Sequence, residues 1–600
     1  MTPAGSPLEF DEAGQPRSRR YGDVYFSRDG GLAETRAVFL NGCGLPERWA
    51  GRRRFTVAEL GFGTGLNIAA LLELWRRHRP PDGRLSIFSV EAEPPNAEEA
   101  RRALGLWPEL APSAELLIAR WPGRARGFHR LDLPEAGACL DLAVMDAETA
   151  LGEWDGAADA WFLDGFSPAK NPAMWTQSLM ELVAARSAPG ARIATYTVAG
   201  AVRRALSAAG LAVERRPGFG RKRERLEASA PGVPLPERPR NPRVAIVGAG
   251  IAGAALARAF AALGLETTLF DPEPGVGASG NPAALVTPRL DAGLGGAARL
   301  HAQALARAVR LYEAIEGGVI ARGVLQFEAG PRDNARFAKI AASDLFEPDA
   351  LTLLTPAQAS AAMGEPTPGA LRLASALVIE PAKALAAWAP RVERAAVAGV
   401  ERAGDVWRLA DAGGRTLAEA EIVCLAAGSA LAALWPGAPV LAVRGQLSRA
   451  TGVTSPAAAW GAYVAPTRDG VVFGATHDRG DTDVELRAAD DARNLAAVAE
   501  RLPGLAAHLA EAPAPGRAAV RATTADRLPI AGALGEGLFV LGGFGARGFA
   551  LAPLLAEHVA AAAIGAPSPL PRSLAPLVAP GRFAERAARR GGMAGGRAVR

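Results

Sequence analysis

The sequence predicts an α/β protein with two domains, each built around a largely parallel β-sheet. Its 600 residues exceed what one hydrophobic core usually serves, because chains divide into domains beyond roughly 250–300 residues. Glycine-rich turns at residues 61–65 and 248–253 each follow an apolar strand-like run and precede a helical one. Five prolines within residues 228–242 lie between these turns and disfavour both helix and central strand.

The composition is that of an ordinary globular protein, with 49% hydrophobic and 22% charged residues and a formal net charge of +5. Three cysteines, at positions 43, 139 and 424, are too scattered for a disulfide framework or a metal site, and the six histidines form no cluster. The N-terminus lacks the pattern of a secretion signal, and no run of about 18 apolar residues follows. We therefore expect a cytoplasmic monomer without metal or membrane attachment.

Apolar runs that alternate with Ala- and Leu-rich helical stretches define the first predicted sheet. The runs are Phe55–Leu60, Leu85–Val90, Leu140–Met145, Ala160–Leu163 and Arg192–Tyr196. Such alternation is typical of a parallel sheet flanked by helices. We assign residues 1–228 to this domain, 229–242 to a linker, 243–580 to a second α/β domain with an inserted α+β substrate domain, and 581–600 to a basic, disordered tail.

The first glycine turn is accompanied by acids at strand ends. Its glycines let the backbone turn sharply and approach a ligand where a Cβ would clash, although such a turn is also a common structural connection. Glu91 ends the next strand, where a carboxylate can bind two ribose hydroxyls, and Asp146 follows a later strand, where it can meet an adenine amino group. An acid two residues before a G-x-G-x-G run resembles the Rossmann-like S-adenosylmethionine methyltransferases. The resemblance implies that this cofactor binds at Glu59, Gly61, Gly63, Gly65, Glu91 and Asp146.

The loop after Ala160–Leu163 contains Asp164, at the carboxyl ends of the strands where substrates bind in this fold. An amine attacks a sulfonium methyl group only as its free base. Asp164 is therefore predicted to orient the amine, accept a proton and stabilise the developing cation. The alternative is a helix N-cap or a turn residue. Phe162 and Phe166 are candidates for stacking on a base, and equally for the core.

The second glycine turn has the complete strand, G-x-G-x-x-G and helix context of a dinucleotide fingerprint. Gly248 permits the turn, Gly250 admits a pyrophosphate to the helix N-terminus, and Gly253 lets helix and strand come close. Asp271 ends the next strand, 21 residues after Gly250, where it would bind an adenosine ribose. The fingerprint alone does not separate FAD from NAD.

Further segments of this domain, in order along the chain, resemble the glycine-oxidase and D-amino-acid-oxidase type of FAD enzyme. They are Gly277–Asn281, Ala426–Gly428, Arg444–Gln446, Arg521–Pro529 and Gly542–Gly548, each alone compatible with a structural turn. The resemblance implies oxidation of a C–N bond beside a carboxylate, with FAD bound at Ser279, Gly280, Asn281, Gly543, Gly545 and Gly548. A guanidinium binds a carboxylate at two points, which makes Arg521 the first candidate for that contact and Arg468 the second. Either is alternatively a surface ion pair.

Basic residues cluster between positions 215 and 225, and Glu224 is the only acid in this stretch. Such a patch either neutralises phosphates or is a solvated face. A methyltransferase followed by this oxidase, with Trp161–Pro172 and Phe219–Glu224 both present, resembles the bifunctional bacterial enzymes that modify the tRNA wobble uridine.

That resemblance implies two successive reactions on one nucleoside. The oxidase removes the carboxymethyl group from 5-carboxymethylaminomethyl-2-thiouridine, and the methyltransferase then methylates the exposed amine. The resemblance also gives the basic cluster a partner, with Arg221, Lys222 and Arg223 contacting tRNA phosphates.

Two other functions fit the same motifs. One is a fused amino-acid or amine oxidase and N-methyltransferase that acts on a free small molecule and needs no basic surface beside Asp164. The other is an RNA-binding protein whose cofactor sites serve only structure, in which substrate would not reduce bound FAD.

Overall fold

The computed structural model describes residues 6–12, 14–26, 30–220, 222–234 and 241–595. The chain divides into two compact units, Met1–Arg240 with Ala566–Arg572, and Asn241–Gly565 with Ser573–Arg600. Among the described residues, no helix has the length and apolar character needed to cross a membrane.

The first unit is an α/β unit with one large sheet. Its strands are β1 (Leu8–Phe10), β2 (Pro16–Ser18), β3 (Arg54–Leu60), β4 (Arg84–Val90), β5 (Gly127–Leu133), β6 (Ala138–Val144), β7 (Ala158–Leu163), β8 (Ser187–Thr195), β9 (Ala212–Pro217) and β10 (Glu224–Ser229). Its helices are α1 (Gly31–Glu34), α2 (Leu66–His78), α3 (Ala97–Leu104), α4 (Ala111–Ile118), α5 (Ala147–Glu153), α6 (Gln177–Ala185) and α7 (Gly200–Ala208).

Eight of these strands form the sheet, in the order β5-β6-β4-β3-β7-β8-β10-β9. β3 pairs in parallel with β4 and β7, and β6 and β8 extend the parallel part on either side. Every residue of β7 is buried, which is typical of a parallel strand covered by helices on both faces. Because the central strands are parallel, the loops after Leu60, Val90 and Leu163 meet at one edge of the sheet.

The second unit contains a smaller parallel sheet and a large mixed one. Its strands are β11 (Val244–Val247), β12 (Thr267–Phe270), β13 (Ala284–Val286), β14 (Val319–Phe327), β15 (Leu351–Leu354), β16 (Ala370–Ile379), β17 (Gly399–Ala403), β18 (Val406–Ala410), β19 (Thr416–Ala420), β20 (Ile422–Leu425), β21 (Leu441–Thr451), β22 (Ala458–Ala459), β23 (Tyr463–Pro466), β24 (Gly470–Gly474), β25 (Asp478–Arg479), β26 (Pro513–Thr523), β27 (Ile530–Gly535) and β28 (Leu538–Gly542). Its helices are α8 (Ile251–Ala262), α9 (Gly296–Glu313), α10 (Asp333–Ala341), α11 (Pro356–Met363), α12 (Pro381–Trp388), α13 (Leu431–Leu434), α14 (Ala488–Ala499), α15 (Pro503–Glu511), α16 (Gly548–Ile564), α17 (Ala575–Val578) and α18 (Arg582–Gly595).

The smaller sheet has the order β12-β11-β20-β28-β27 and is parallel except for β27. Between its strands the chain makes two excursions, residues 284–379 and 441–523, which together build the ten-stranded mixed sheet. The predicted α/β class is confirmed in both units, and the predicted insertion consists of these two excursions.

Three predicted segments differ from the structure. The tail at 581–600 is not disordered where it is described, because α18 begins at Arg582 and this arginine is buried against Asp526. Residues 596–600 lie outside the described part. Segment Ala566–Arg572, assigned from the sequence to the second domain, groups with the first unit, where the Arg572 amide donates to Glu153 O at 2.8 Å. Within the predicted linker, β10 reaches Ser229, and residues 235–240 lie outside the described part.

Candidate active sites

A cavity of about 590 Å³ opens at the carboxyl ends of β3, β4 and β7. Gly61 and Gly63 line it with φ angles of 85° and 53°, a left-handed backbone that favours glycine. A Cβ at Gly61 would lie 3.0 Å from Gly165 Cα, so the two loops approach each other through backbone alone. Gly65 (φ 82°) lies just before α2 and is not part of the cavity wall.

The predicted cofactor acids Glu91 and Asp146 both line this cavity. Glu91 Oε2 accepts a hydrogen bond from the Gly63 amide at 3.0 Å, and burial raises the pKa of Glu91. Asp146 is exposed and caps α5 by accepting from the Thr149 amide at 2.9 Å. Their contacts with ribose and adenine stay predictions.

Glu59 is placed differently from the prediction. Its side chain is completely buried, outside the cavity wall, and Ser89 Oγ donates to Glu59 Oε2 at 2.6 Å. Burial raises the pKa of Glu59 to about 8, so the carboxyl group is mostly neutral at pH 7. We therefore correct its assignment as a cofactor ligand: Glu59 joins β3 to β4 beneath the glycine turn.

Asp164 lies in the cavity wall directly after β7. Asn67 Nδ2 donates to Asp164 Oδ2 at 2.8 Å, and Thr35 Oγ1 donates to Asn67 Oδ1 at 2.7 Å, which fixes the orientation of the amide. Burial raises the pKa of Asp164 to about 6, although the hydrogen bond from Asn67 opposes this shift. No helix begins at Asp164, so the N-cap alternative is excluded.

Lys222 lies beside this carboxylate in the cavity wall. Its Nζ is 2.7 Å from Glu34 Oε1 and 4.3 Å from the centre of the Tyr196 ring. Tyr196 Oη donates to Gly165 O at 2.9 Å and so holds the loop that carries Asp164. Lys222 is thus engaged by an acid of the cavity wall while its side chain remains exposed, and its contact with tRNA phosphate stays a prediction.

The rest of the predicted phosphate-binding cluster is mostly paired. On the hairpin of β9 and β10, Arg215 pairs with Glu224 at 3.1 Å and Arg216 with Glu214 at 2.5 Å. Arg223 is exposed, and its guanidinium makes no hydrogen bond or ion pair with the described residues. Arg221 lies outside the described residues.

Carboxylates dominate the charged residues of the cavity wall. The acids in the described part of the wall are Asp23, Glu34, Glu91, Glu93, Asp146, Glu148 and Asp164, against the bases Arg20 and Lys222. A wall with this charge stabilises a cationic sulfonium and a cationic amine better than an anionic group.

Aromatic rings form another part of the wall. The centre of the Phe166 ring lies 4.9 Å from that of Tyr21 and 5.2 Å from that of Tyr25, and all three residues line the cavity. Such a cluster presents π-faces on which a splayed base can stack. Phe162, the other candidate, is fully buried against Phe39 and belongs to the core.

Sequence reasoning missed several wall residues. Tyr21 and Tyr25 precede β3 in a segment without periodicity and gave no signal. Asn67 did give a signal, since it is a polar residue near the start of the otherwise apolar run Leu66–Leu72. A buried amide is normally hydrogen-bonded, so its presence there indicates a polar partner.

In the second unit, the fingerprint glycines create a backbone cradle before α8. Gly248 has a φ of 103°, and a Cβ there would lie 2.5 Å from Ala426 O. A Cβ at Gly253 would collide with Gly248 O. Asp271 Oδ2 accepts from the Ala249 amide at 2.8 Å, which holds the turn against the end of β12. These residues fit a dinucleotide cofactor, whose pyrophosphate Gly250 would meet at the helix start.

The segment after β12 contains three predicted FAD-binding residues, of which one lies at the cradle and two shape the neighbouring loop. Ser279 Oγ accepts from the Ile251 amide at 3.0 Å, in the first turn of α8. A Cβ at Gly280 would collide with Gly275 O, and Asn281 Oδ1 accepts from Arg517 Nη1 at 2.9 Å. Gly280 and Asn281 therefore shape the loop, whereas Ser279 lies at the helix start.

The last glycine-rich loop leads into α16. Gly543 and Gly545 have φ angles of 70° and 57°, and a Cβ at Gly548 would lie 3.1 Å from Ile251 Cγ2. The first turns of α8 and α16 thus pack together. Because helix N-termini carry about half a positive charge, this part of the unit suits an anionic cofactor.

The two candidate arginines have different surroundings. Arg521, on β26, donates from Nη1 to Thr476 O at 3.2 Å, and desolvation lowers its pKa. Arg468 is 55% exposed, lies 3.3 Å from Glu380 and also donates to Gly317 O. Arg468 is therefore a surface ion pair, which corrects its assignment as a carboxylate ligand, and Arg521 stays the candidate.

Protein-family models match the chain in two successive regions. Residues 108–231 match the model of an S-adenosyl-L-methionine-dependent methyltransferase family, and residues 243–562 match that of an FAD dependent oxidoreductase family. Among solved structures, glycine oxidase from Geobacillus kaustophilus is 23% identical with a TM-score of 0.48, covering 54% of this chain and 95% of that chain.

Curated relatives match the whole length. Proteins named tRNA 5-methylaminomethyl-2-thiouridine biosynthesis bifunctional protein MnmC are 60% identical in Caulobacter sp. (strain K31), over 98% of this chain and 99% of theirs, and 60% identical in Caulobacter vibrioides, over 97% and 98%. The Maricaulis maris protein of the same name is 44% identical over 99% of each chain. The chain belongs to this MnmC family of bifunctional enzymes, with a methyltransferase domain that uses S-adenosylmethionine followed by an FAD-dependent oxidoreductase domain.

Proposed function

We propose that the chain modifies the tRNA wobble uridine in two successive steps. The oxidase domain, residues 243–580, removes the carboxymethyl group of 5-carboxymethylaminomethyl-2-thiouridine, and the methyltransferase domain, residues 1–228, methylates the resulting amine. One observation carries the proposal: the first site is rich in carboxylates, and the second contains a desolvated guanidinium at Arg521. The oxidase acts first, and the carboxylate of its substrate matches Arg521; the aminomethyl product has lost that carboxylate and is a cation, which matches the carboxylate-rich cavity of the methyltransferase.

In the oxidase step, Arg521 binds the substrate carboxylate, since a partly desolvated guanidinium forms strong charge-assisted hydrogen bonds. FAD, held by the glycine turn at residues 248–253 and the loop Gly543–Gly548, would supply the hydride acceptor for oxidation of the carbon between the nitrogen and the carboxylate. Water hydrolyses the resulting imine, which gives the aminomethyl nucleoside and glyoxylate. The product has lost the group that Arg521 holds.

In the methyltransferase step, Asp164 orients the amine and accepts the proton that it loses, while S-adenosylmethionine supplies the methyl group. Asn67 and Thr35 hold the carboxylate in place through their hydrogen bonds. Phe166 and its neighbouring tyrosines offer stacking surfaces for the uridine base. Arg221, Lys222 and Arg223 contact tRNA phosphates, and the protein works in the cytoplasm as a monomer.

The test is incubation of the FAD-loaded protein with tRNA that bears the carboxymethylaminomethyl group, with and without S-adenosylmethionine. Mass spectrometry of the wobble nucleoside should show the aminomethyl form without the methyl donor and the methylaminomethyl form with it. Glycine and N-methylglycine serve as free substrates in parallel. Turnover of these amino acids at rates above those of tRNA would instead establish a small-molecule enzyme.

A further inference from the structure

Helix α18, which follows the oxidase fold, is anchored by a buried arginine at its first residue. Arg582 is 4% exposed and forms a two-point ion pair with Asp526, with Nε and Nη2 each 3.0 Å from a carboxylate oxygen. Its Nη2 also donates to Leu528 O at 2.8 Å. This arginine therefore bonds both to a side chain and to the backbone of the turn after β26.

Asp526 in turn organises residues 524–528. Its Oδ1 accepts from Thr524 Oγ1 at 2.9 Å and from the Leu528 amide at 3.1 Å. Burial alone would raise the pKa of Asp526, but the hydrogen bonds from Arg582 and the Leu528 amide hold it well below its usual range. Arg527 lies in the left-handed region with a φ of 60°, which a non-glycine residue adopts only where its surroundings impose it.

The end of β26 and the first residue of this turn contact the glycine-rich loop before α16. The Gly545 amide donates to Ala522 O at 2.8 Å, and Thr523 forms a backbone bridge with Phe544. A Cβ at Gly543 would lie 2.9 Å from Thr524 Cγ2. Arg521 precedes this turn on the same strand, so a shift of the turn moves both the loop and the candidate substrate guanidinium.

We propose that Arg582 is a positioning residue of the oxidase. Through Asp526 it fixes the turn at residues 524–528, and through that turn it holds the Gly543–Gly548 loop and Arg521 in register. The segment that the sequence presents as a basic tail is thus part of the FAD-dependent unit. The inference rests on the oxidoreductase assignment and, for its substrate effect, on the proposed role of Arg521.

The test compares Arg582→Gln with Arg586→Gln in the full-length FAD-loaded protein. Arg586 is the matched control because it approaches the same carboxylate at 2.6 Å but is 46% exposed, where an ion pair contributes little. We expect Arg582→Gln to raise the Kd of FAD about tenfold or more and to raise KM for carboxymethylaminomethyl tRNA more than it lowers kcat. Arg586→Gln should change each value by about twofold at most.

Two further variants keep the test decisive if Arg582→Gln folds poorly. Asp526→Asn should reproduce the FAD and KM effects, and the double variant should be no worse than the more severe single one, since the two residues act as a pair. Ending the chain after Pro580 should have the same effect, whereas ending it after Ala588 should not. Methyl transfer to aminomethyl tRNA reports on folding of the first unit and should stay unchanged.

Equal FAD affinity and equal KM in Arg582→Gln, Asp526→Asn and Arg586→Gln would overturn the proposal. The FAD measurement needs no tRNA. A raised Kd of FAD with an unchanged KM would therefore refute the link from Arg582 to Arg521 while leaving the positioning of the loop intact.

Discussion

The candidate sites of the two units hold charges of opposite sign in the same electrostatic situation. Asp164 in the first unit has a pKa raised by burial, and Arg521 in the second has a pKa lowered by it. Each is held by a neutral partner, the Asn67 amide for Asp164 and the Thr476 carbonyl for Arg521. Neither has an ion-pair partner among the described residues.

Other buried charged residues in the chain do have an ion-pair partner. Arg130 pairs with Asp141 at 2.6 Å, and Arg444, with no exposed surface, pairs with Asp490. A buried charge without a counter-charge is costly, and a ligand of opposite sign removes that cost. Among these four groups, the two paired charges hold the fold, whereas the two charges without an ion-pair partner belong to the candidate sites.

The largest expected effect comes from Asp164→Asn, which keeps the size of the side chain and removes its charge. Methyl transfer to aminomethyl tRNA should slow by roughly 10²–10⁴, the usual contribution of a positioned acid–base group. The oxidase should be unaffected, so the aminomethyl nucleoside should accumulate in the presence of S-adenosylmethionine, as mass spectrometry will detect. Methylation at the wild-type rate would mean that another group activates the amine.

Arg521→Gln tests the opposite charge. Oxidase kcat/KM for the carboxymethylaminomethyl tRNA should fall by about 10², mainly through KM, because a charge-assisted two-point contact with the carboxylate is lost. Arg468→Gln is the matched control and should change kcat/KM by about twofold at most, since it breaks only an exposed ion pair. Similar losses of kcat/KM in both variants would mean that Arg468 also binds the substrate carboxylate.

The pH dependence of methyl transfer sharpens the comparison. With a pKa of about 6, Asp164 loses its charge as the pH falls, so kcat/KM should decrease about tenfold per pH unit below that value.

The same group should also affect the stability of the fold. The pKa of Asp164 is higher in the folded protein than in the unfolded chain, so ionisation of Asp164 lowers the free energy of unfolding as the pH rises through about 4 to 6. Asp164→Asn should lack both effects, as rate profiles and thermal unfolding would show. A profile shared by wild type and variant would assign the titration to another group.

The smallest effect is expected at the basic hairpin. Arg223→Gln should weaken tRNA binding a few-fold and lower the slope of log Kd against log salt concentration by up to about one unit, because one phosphate contact is lost. Arg216→Gln is the control, since Arg216 is paired with Glu214. Equal slopes for wild type and both variants would make this hairpin a solvated face.

Much of the architecture follows from local sequence. The sequence predicts the strand ends before Gly61 and Gly248, because an apolar run and the glycine turn after it lie within a few residues of each other. The steric effect of a Cβ on the backbone also acts only between residues that are close along the chain. Glu91 and Asp146 were predicted in the cavity wall for a related reason. In a parallel sheet, residues that end neighbouring strands must meet at one edge.

Charge partners and burial were decided by the tertiary structure alone. Asn67 and Asp164 are 97 residues apart, and Arg582 and Asp526 are 56 apart, so no local pattern records that they meet. For the same reason the sequence did not tell the buried Glu59 from a ligand acid, or the paired Arg468 from the unpaired Arg521. Backbone conformation depends on neighbours along the chain, whereas the state of a charge depends on which distant side chains and how much water surround it in the fold.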